Sequence, residues 1–385
     1  MIGPEELAAV QEPLKAGWVV QGPYVEKFES AAARFMQARN AVAVHSCTAA
    51  LHIGAALLGV RPGDEVIVPA FTWISTANVV EYLGGKPIFC DITLETFNLD
   101  PARIEALITP RTVGILSVHL FGLCADMPRI LEIARKHHLW VMEDAACALG
   151  SKLDGKHAGT FGQVGCFSFH PRKSITTGEG GLLICSDPDL ENNARSLRDH
   201  GAARSDRARH QAAWAFLLSE FNQLGYNYRM TDIQAALGVV QFDRLEWILS
   251  QRAHRAARYT AMLQSSGWLR PPVTPPKSAH SFQSYVCLYA PEPPTMDNVN
   301  RLSKQRNHWM SELEALGIAT RQGTHAPVNT GFYKSKYGLK PESYPNALLA
   351  ESLSVALPLY PQMTDPEQDY VITGIQEKAP HVEQP

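Results

Sequence analysis

The sequence has no Cys-x-x-Cys pair, no block of Lys and Arg, no long unbroken apolar stretch and no repeated or low-complexity tract. Each absence removes a class of function. Seven cysteines, an odd number scattered at positions 47, 90, 124, 147, 166, 185 and 287, argue against both a disulfide framework and a zinc site. The 35 basic and 38 acidic residues nearly cancel, and no window concentrates positive charge as a nucleic-acid or membrane surface requires. No apolar stretch is long enough to span a bilayer, and Met1-Ile2-Gly3-Pro4-Glu5-Glu6 has neither the basic patch nor the apolar run of a signal peptide. The expectation is a cytoplasmic protein that acts on small molecules, with no nucleic acid, membrane or metal as partner.

What is present is enough chain, 385 residues, for a large α/β domain and a smaller one. Between about residues 40 and 200, short β-branched runs alternate with helical patterns, the signature of a mixed, mostly parallel sheet covered on both faces. Seven strands are predicted: Ala41-Val44, Glu65-Val68, Lys86-Cys90, Val113-His119, Trp140-Glu143, Gly165-His170 and Gly181-Cys185. Helices are predicted over Thr48-Leu58, Ile74-Leu83, Met127-His137 and Leu190-Asp199, and a long one over Met230-Leu263 with a break near Ile248-Ser250. Arg270-Lys277 is too proline-rich for helix or central strand and reads as a connection. A strand at Ser284-Tyr289, a helix at Val299-Leu316 and a loop-rich tail then suggest a small α+β domain. The division expected is 1–248 and 249–385, with residues 1–15 a candidate to pack on the small domain and Gln376-Pro385 loose.

Four segments at strand ends carry the chemistry, because ligand sites in open α/β sheets gather outside the carboxyl ends of strands. His45-Ser46-Cys47-Thr48-Ala49 leaves a strand and opens a helix, so it either meets an anion with backbone N–H groups and a hydroxyl or is an ordinary helix cap. Pro69-Ala70-Phe71-Thr72-Trp73 offers an aromatic ring to a flat cofactor, or simply to the core. Val141-Met142-Glu143-Asp144-Ala145-Ala146-Cys147 ends a strand in two acids, and since side chains alternate along a strand, one turns inward; Asp144 is the choice. A carboxylate there can keep a pyridine nitrogen protonated, although a cap remains the alternative for a solitary Asp.

The fourth segment, Phe167-Ser168-Phe169-His170-Pro171-Arg172-Lys173, returns through Gly178, Gly180 and Gly181. A loop lysine is ordinarily a solvated surface residue. Here Pro171 fixes the exit from the strand and the glycines allow a tight return, so Lys173 can form a Schiff base with an aldehyde cofactor and Ser168 can reach its phosphate.

These segments resemble those of the nucleotide-sugar aminotransferases, the DegT-type branch of the pyridoxal 5′-phosphate (PLP) fold type I enzymes. The likeness runs from Val20-Gln21-Gly22-Pro23-Tyr24-Val25-Glu26-Lys27-Phe28-Glu29, through the four segments, to Leu224-Gly225-Tyr226-Asn227-Tyr228-Arg229-Met230-Thr231-Asp232-Ile233-Gln234-Ala235-Ala236 and Gly317-Ile318-Ala319-Thr320. It implies that Lys173 is the Schiff-base lysine, Asp144 the pyridine partner and Trp73 the stacking ring. It also implies that Cys47, Thr48 and Ser168 bind the phosphate, that Asn227 reaches the phosphate of a neighbouring subunit, and that the active unit is a homodimer. Cys47 stands where the family often has Gly, which a backbone N–H contact survives. Cys147 stands near the cofactor ring where the family often has Gln, and the carboxyl-terminal third departs most. There His325 is a substrate residue or a loop histidine, and Arg229 binds a carboxylate or diphosphate or forms a structural ion pair.

The function implied is transfer of an amino group from L-glutamate, by way of the pyridoxamine form of the cofactor, to a nucleotide-linked 3-keto- or 4-keto-sugar. The same fold admits a PLP-dependent sugar 3-dehydratase, a cyclitol aminotransferase or aromatising synthase, and a regulatory member without catalysis. The resemblance implies that the dehydratases carry histidine in place of the lysine, and Lys173 is a lysine.

Overall fold

The computed structural model describes residues 2–204 and 217–380. Its first strands are β1 (Asn40–Val44), β2 (Glu65–Pro69), β3 (Lys86–Cys90), β4 (Thr112–Val118) and β5 (Trp140–Asp144). They are followed by the two-residue strands β6 (Lys152–Leu153) and β7 (Lys156–His157), then β8 (Val164–Ser168) and β9 (Gly181–Cys185). Seven of these form one sheet in the order β1-β9-β8-β5-β4-β2-β3. Only β9 runs against its neighbours; the rest are mutually parallel. The seven predicted strands all occur, with ends displaced by at most two residues.

The strands read as apolar runs because helices cover both faces. All five residues of β2 and of β9 are buried, and successive side chains divide between two layers. Leu183 of β9 packs with Leu51, Phe71, Leu116 and Met142 on one side. Leu182 and Ile184 pack with Phe28, Phe167 and Phe169 on the other.

The helices preceding residue 200 are α1 (Pro4–Ala16), α2 (Pro23–Phe35), α3 (Cys47–Leu57), α4 (Ser75–Tyr82), α5 (Met127–Lys136) and α6 (Pro188–Leu197). Their starts follow the capping rules: Ser46, Asp126 and Asp187 each accept a backbone N–H of the first turn, α6 opens on Pro188 and α5 has Pro128 at its second position. α1 lies along the helix Asp232–Asp243, where Glu6 is fully buried and bonds Gln241 and Arg244, so α1 associates with the larger layer rather than with the small domain expected of it.

Two expectations need correction. The break in the long helix falls at Arg244, between Asp232–Asp243 and Leu245–Leu263, four residues ahead of Ile248. The tail is not loop-rich: helices Gly331–Tyr337, Pro345–Leu353 and Asp365–Glu377 and the strand β13 (Ser354–Leu357) fill it. Gln376 and Glu377 close the last helix rather than fraying, and 381–385 lie outside the described residues. β13 completes an antiparallel sheet with β10 (Leu269–Arg270) and β12 (Tyr285–Tyr289) in the order β10-β12-β13. The proline-rich connection ends in β11 (Ser278–Ala279), which pairs with β6 and ties the second layer to the first.

We propose a domain boundary near residue 248, inside the helix Leu245–Leu263. Its first turns, Leu245 and Ile248, pack with Phe28 and Phe167. Its later turns, Ala256, Tyr259 and Leu263, pack with Tyr285 and Trp309.

Candidate active site

Three side-chain hydrogen bonds join the four strand-end segments. Thr48, in the first turn of α3, donates to Ser75 Oγ at 3.1 Å, which links the segment after β1 to the one after β2. Thr76 donates to Asp144 Oδ2 at 2.8 Å, linking the second segment to the end of β5. Lys173 Nζ donates to Cys147 Sγ at 3.1 Å, linking that strand end to the loop after β8. The circle closes at Gly181, where a Cβ would fall 2.3 Å from the Ser46 carbonyl and 2.5 Å from the Cys47 nitrogen. Only glycine lets β9 pass this close to the helix start. In the sheet Gly181 lies between Val44 and Ser168, so Ser168 is held next to the mouth of α3.

The start of α3 keeps donors free. Ser46 Oγ takes the Ala49 N–H and the Ser46 carbonyl takes that of Ala50, leaving those of Cys47 and Thr48 without a partner among the described residues. With the positive end of the helix dipole behind them they suit an anion. Burial first, and then the charge of Asp144, hold the Cys47 thiol far above its ordinary range, so Cys47 offers its backbone N–H and a neutral thiol.

The two acids at the end of β5 face opposite ways, as the alternation of a strand demands. Glu143 is fully buried away from the lysine, 2.7 Å from His119 Nε2, and accepts the N–H groups of Gly159, Phe161 and Gly162. Asp144 accepts from Thr76 and from the Ala146 N–H at 3.1 Å. Burial raises the Asp144 carboxyl above its usual range, and the Thr76 and Ala146 bonds and the Lys173 charge offset this only in part. Such an acid gains from one more cation beside it.

Lys173 has the opposite balance. Burial alone would lower its ammonium, but the hydrogen bond to Cys147 and the neighbouring negative charge, that of Asp144 included, outweigh it and hold Lys173 above the ordinary lysine value. A thiol is a weak acceptor for a lysine amine, so Cys147 leaves Nζ open to better partners. Trp73 lies at the rim, 58% exposed, with its ring centroid 5.8 Å from that of His325. The His325 carbonyl also accepts the Thr72 N–H at 3.0 Å, which brings the carboxyl-terminal third to this rim.

An amine, a buried acid wanting a cation, a helix start with free N–H groups and an exposed indole fit the aldehyde, ring nitrogen, phosphate and ring face of PLP. Residues 1–376 match the DegT/DnrJ/EryC1/StrS aminotransferase family. The chain belongs to that family. The spore coat polysaccharide biosynthesis protein SpsC of Bacillus subtilis is 36% identical over 98% of this chain and 95% of its own. GDP-perosamine synthase of Caulobacter vibrioides is 40% identical over 82% of this chain and 80% of its own. Among solved structures, a Streptococcus pneumoniae protein described as a sugar aminotransferase, in its PMP form, superposes with TM-score 0.91 at 28% identity, covering 100% of this chain and 98% of that one. DesV of S. venezuelae superposes with TM-score 0.87 at 31% identity over 98% and 95%. This DegT-family protein is therefore a PLP-dependent sugar aminotransferase of fold type I.

Two sequence-predicted residues run beside the first segment, where the Arg229 backbone bridges Val44 and the Tyr228 carbonyl accepts the His45 N–H, but their side chains make no hydrogen bond to the ring of four segments among the described residues. Arg229 is engaged by Asp199 Oδ1 at 2.6 Å, an ion pair within the chain. Asn227 is exposed and its amide makes no hydrogen bond among the described residues. Its backbone bridges Asp199, while Tyr226 and Tyr228 on either side stack at 4.9 Å over His52. Sequence reasoning missed Ser75 and Thr76, which sit in the first turn of α4 directly after Trp73 and hold Thr48 and Asp144. The available signal was a pair of hydroxyls at a helix start below a strand end. Among the described residues no His, Cys, Asp and Glu cluster could hold a metal, all seven cysteines are free, and no helix is long and apolar enough to cross a membrane.

Proposed function

We propose that this DegT-family enzyme moves an amino group from L-glutamate to a nucleotide-linked 3-keto- or 4-keto-sugar, as a cytoplasmic step in making an amino-sugar for a polysaccharide or antibiotic. The observation that carries it is the hydrogen-bonded circle Thr48–Ser75, Thr76–Asp144, Cys147–Lys173, which gathers the groups the cofactor needs. A relative named GDP-perosamine synthase supports a nucleotide-linked sugar, and one named for spore coat polysaccharide supports the product class.

Bound PLP supplies an aldehyde that condenses with amines and a ring that draws electrons from the attached carbon. Lys173 Nζ holds that aldehyde at rest. Free of that aldehyde, the same Nζ would carry the proton off the donor α-carbon and return one to the former keto carbon of the sugar. Asp144 keeps the ring nitrogen protonated, and its raised pKa is relieved by that cation. The N–H groups of Cys47 and Thr48 and the hydroxyl of Ser168 would hold the phosphate, Trp73 would cover the ring, and Cys147 would stand beside it. His325, paired with Trp73 at the rim, meets the sugar.

With PLP added, the protein should show a visible absorption band that L-glutamate bleaches, and nitrogen-15 from labelled glutamate should appear in a keto-sugar chosen from a panel of nucleotide sugars and cyclitol ketones. Label passing only into a cyclitol ketone would remove the nucleotide sugar from this proposal.

The unused amide of Asn227 supports a homodimer in which it completes the partner's phosphate site. Lys173→Ala and Asn227→Ala proteins, each inactive, should regain activity when mixed, because hybrid dimers then hold one intact site. Failure to regain it, once subunit exchange is demonstrated, would place Asn227 outside the shared site.

A further inference from the structure

A turn from the second layer reaches into the first immediately behind the lysine. Gln283 Nε2 donates to the Arg172 carbonyl at 2.7 Å, the peptide group that precedes Lys173. The neighbouring Ser281 is buried: its N–H donates to the Gly122 carbonyl at 3.0 Å, and its hydroxyl lies 2.9 Å from that of Ser151 and 3.5 Å from the Cys147 carbonyl. Ser284 donates its N–H to the Phe121 carbonyl at 3.3 Å. Residues 281–284 thus touch the loops that follow β4, β5 and β8.

The fit is close enough to strain the backbone on both sides. Phe282 has φ 46°, Phe121 has φ 56° and Gly122 has φ 105°, all in the left-handed region. A Cβ on Gly122 would come within 2.5 Å of Ser281 Oγ and 3.0 Å of the Phe282 and Gln283 nitrogens. Arg252 fixes the turn from beneath. It is buried, pairs with no carboxylate among the described residues, and donates Nη1 to the carbonyls of Phe282 at 3.2 Å, Gln283 at 3.1 Å and Leu359 at 3.4 Å. Burial pulls its guanidinium down to about 10. Left-handed phenylalanines and a buried cation spent on carbonyls are costly, and they persist where the surroundings over-determine one geometry.

We propose that Gln283, locked in place by Arg252, is a positioning residue that aims the Lys173 amine at the cofactor aldehyde. This rests on Lys173 being the PLP lysine. Gln283 fixes the peptide preceding the lysine and makes no hydrogen bond to the α3 start or Ser168 among the described residues, so it governs bond formation by the amine and not anchoring of the phosphate.

The test uses the full-length protein freed of cofactor. Gln283→Met keeps the length of the side chain and removes its donor, at a half-buried position where folding is retained. Capture of PLP is followed by the rise of the visible band and by borohydride trapping, with the trapped group located by peptide mass. Pyridoxamine phosphate, which has no aldehyde, reports phosphate anchoring alone. The variant should capture PLP about three- to tenfold more slowly, the scale of one lost hydrogen bond, while its affinity for pyridoxamine phosphate stays within about twofold. Capture at the wild-type rate, or a parallel fall in capture and in pyridoxamine phosphate affinity, would overturn the proposal. Trapping of wild-type protein at a residue other than Lys173 would instead overturn the assignment of the lysine.

Discussion

Lys173→His is expected to abolish sustained amino transfer, lowering turnover on the order of a thousandfold or more, while pyridoxamine phosphate still binds. A lysine reclaims the cofactor aldehyde and so readies the enzyme for the next donor; a histidine cannot form that bond. The phosphate is anchored elsewhere, by the free N–H groups at the start of α3 and by Ser168, which Gly181 brings together. The measurement is turnover with nitrogen-15 glutamate beside a binding titration with pyridoxamine phosphate. The wild type should label the sugar over many turnovers. Loss of a sugar hydroxyl without incorporation of label would replace the aminotransferase reading with that of a dehydratase.

Asp144→Asn should slow the first half-reaction with L-glutamate by about 10²–10³-fold. Asparagine keeps the shape of the side chain, and its carbonyl can still accept the Thr76 hydroxyl, but it carries no charge to hold a proton on the ring nitrogen. The same change should leave the cofactor-free protein as stable as before or more so. Because burial raises the folded pKa of Asp144, the folded chain binds that proton more tightly than the unfolded chain does. The resulting stability is present at acid pH and lost as pH rises through the folded pKa, so at neutral pH the ionised acid is a cost. Melting temperatures with and without PLP give the check: the gap between them should shrink in the variant. A variant that loses stability without cofactor yet keeps its half-reaction rate would move Asp144 from the cofactor to the fold.

Much of this was legible in the sequence because it is local. Short apolar runs bounded by Gly, Pro and Asp marked β2, β3 and β9, and the segment His45-Ser46-Cys47-Thr48 marked a helix start, where Ser46 does cap α3. The break at Arg244 was misplaced since no Gly or Pro stands there; only the separate packing of the two flanking helices decides it. The tail was underestimated because short helices such as Pro345–Leu353 lack a strong apolar stripe of their own and are fixed by burial of Ala347, Leu349 and Leu353 in the common core.

By itself the sequence determined the seven strands of the large sheet and the helices between them, and that an amine, two acids and a hydroxyl-rich helix start all stand at strand ends. Tertiary structure alone decided that β9 passes over the start of α3, that Glu143 turns to His119 while Asp144 turns to Thr76, and that Gln283 arrives from the other layer to brace the peptide before Lys173. The physical reason is range. Periodicity and capping depend on neighbours a few residues apart, whereas contacts such as Gln283 with Arg172, 111 residues apart in the chain, exist only once sheet order and domain packing have closed the loops between them.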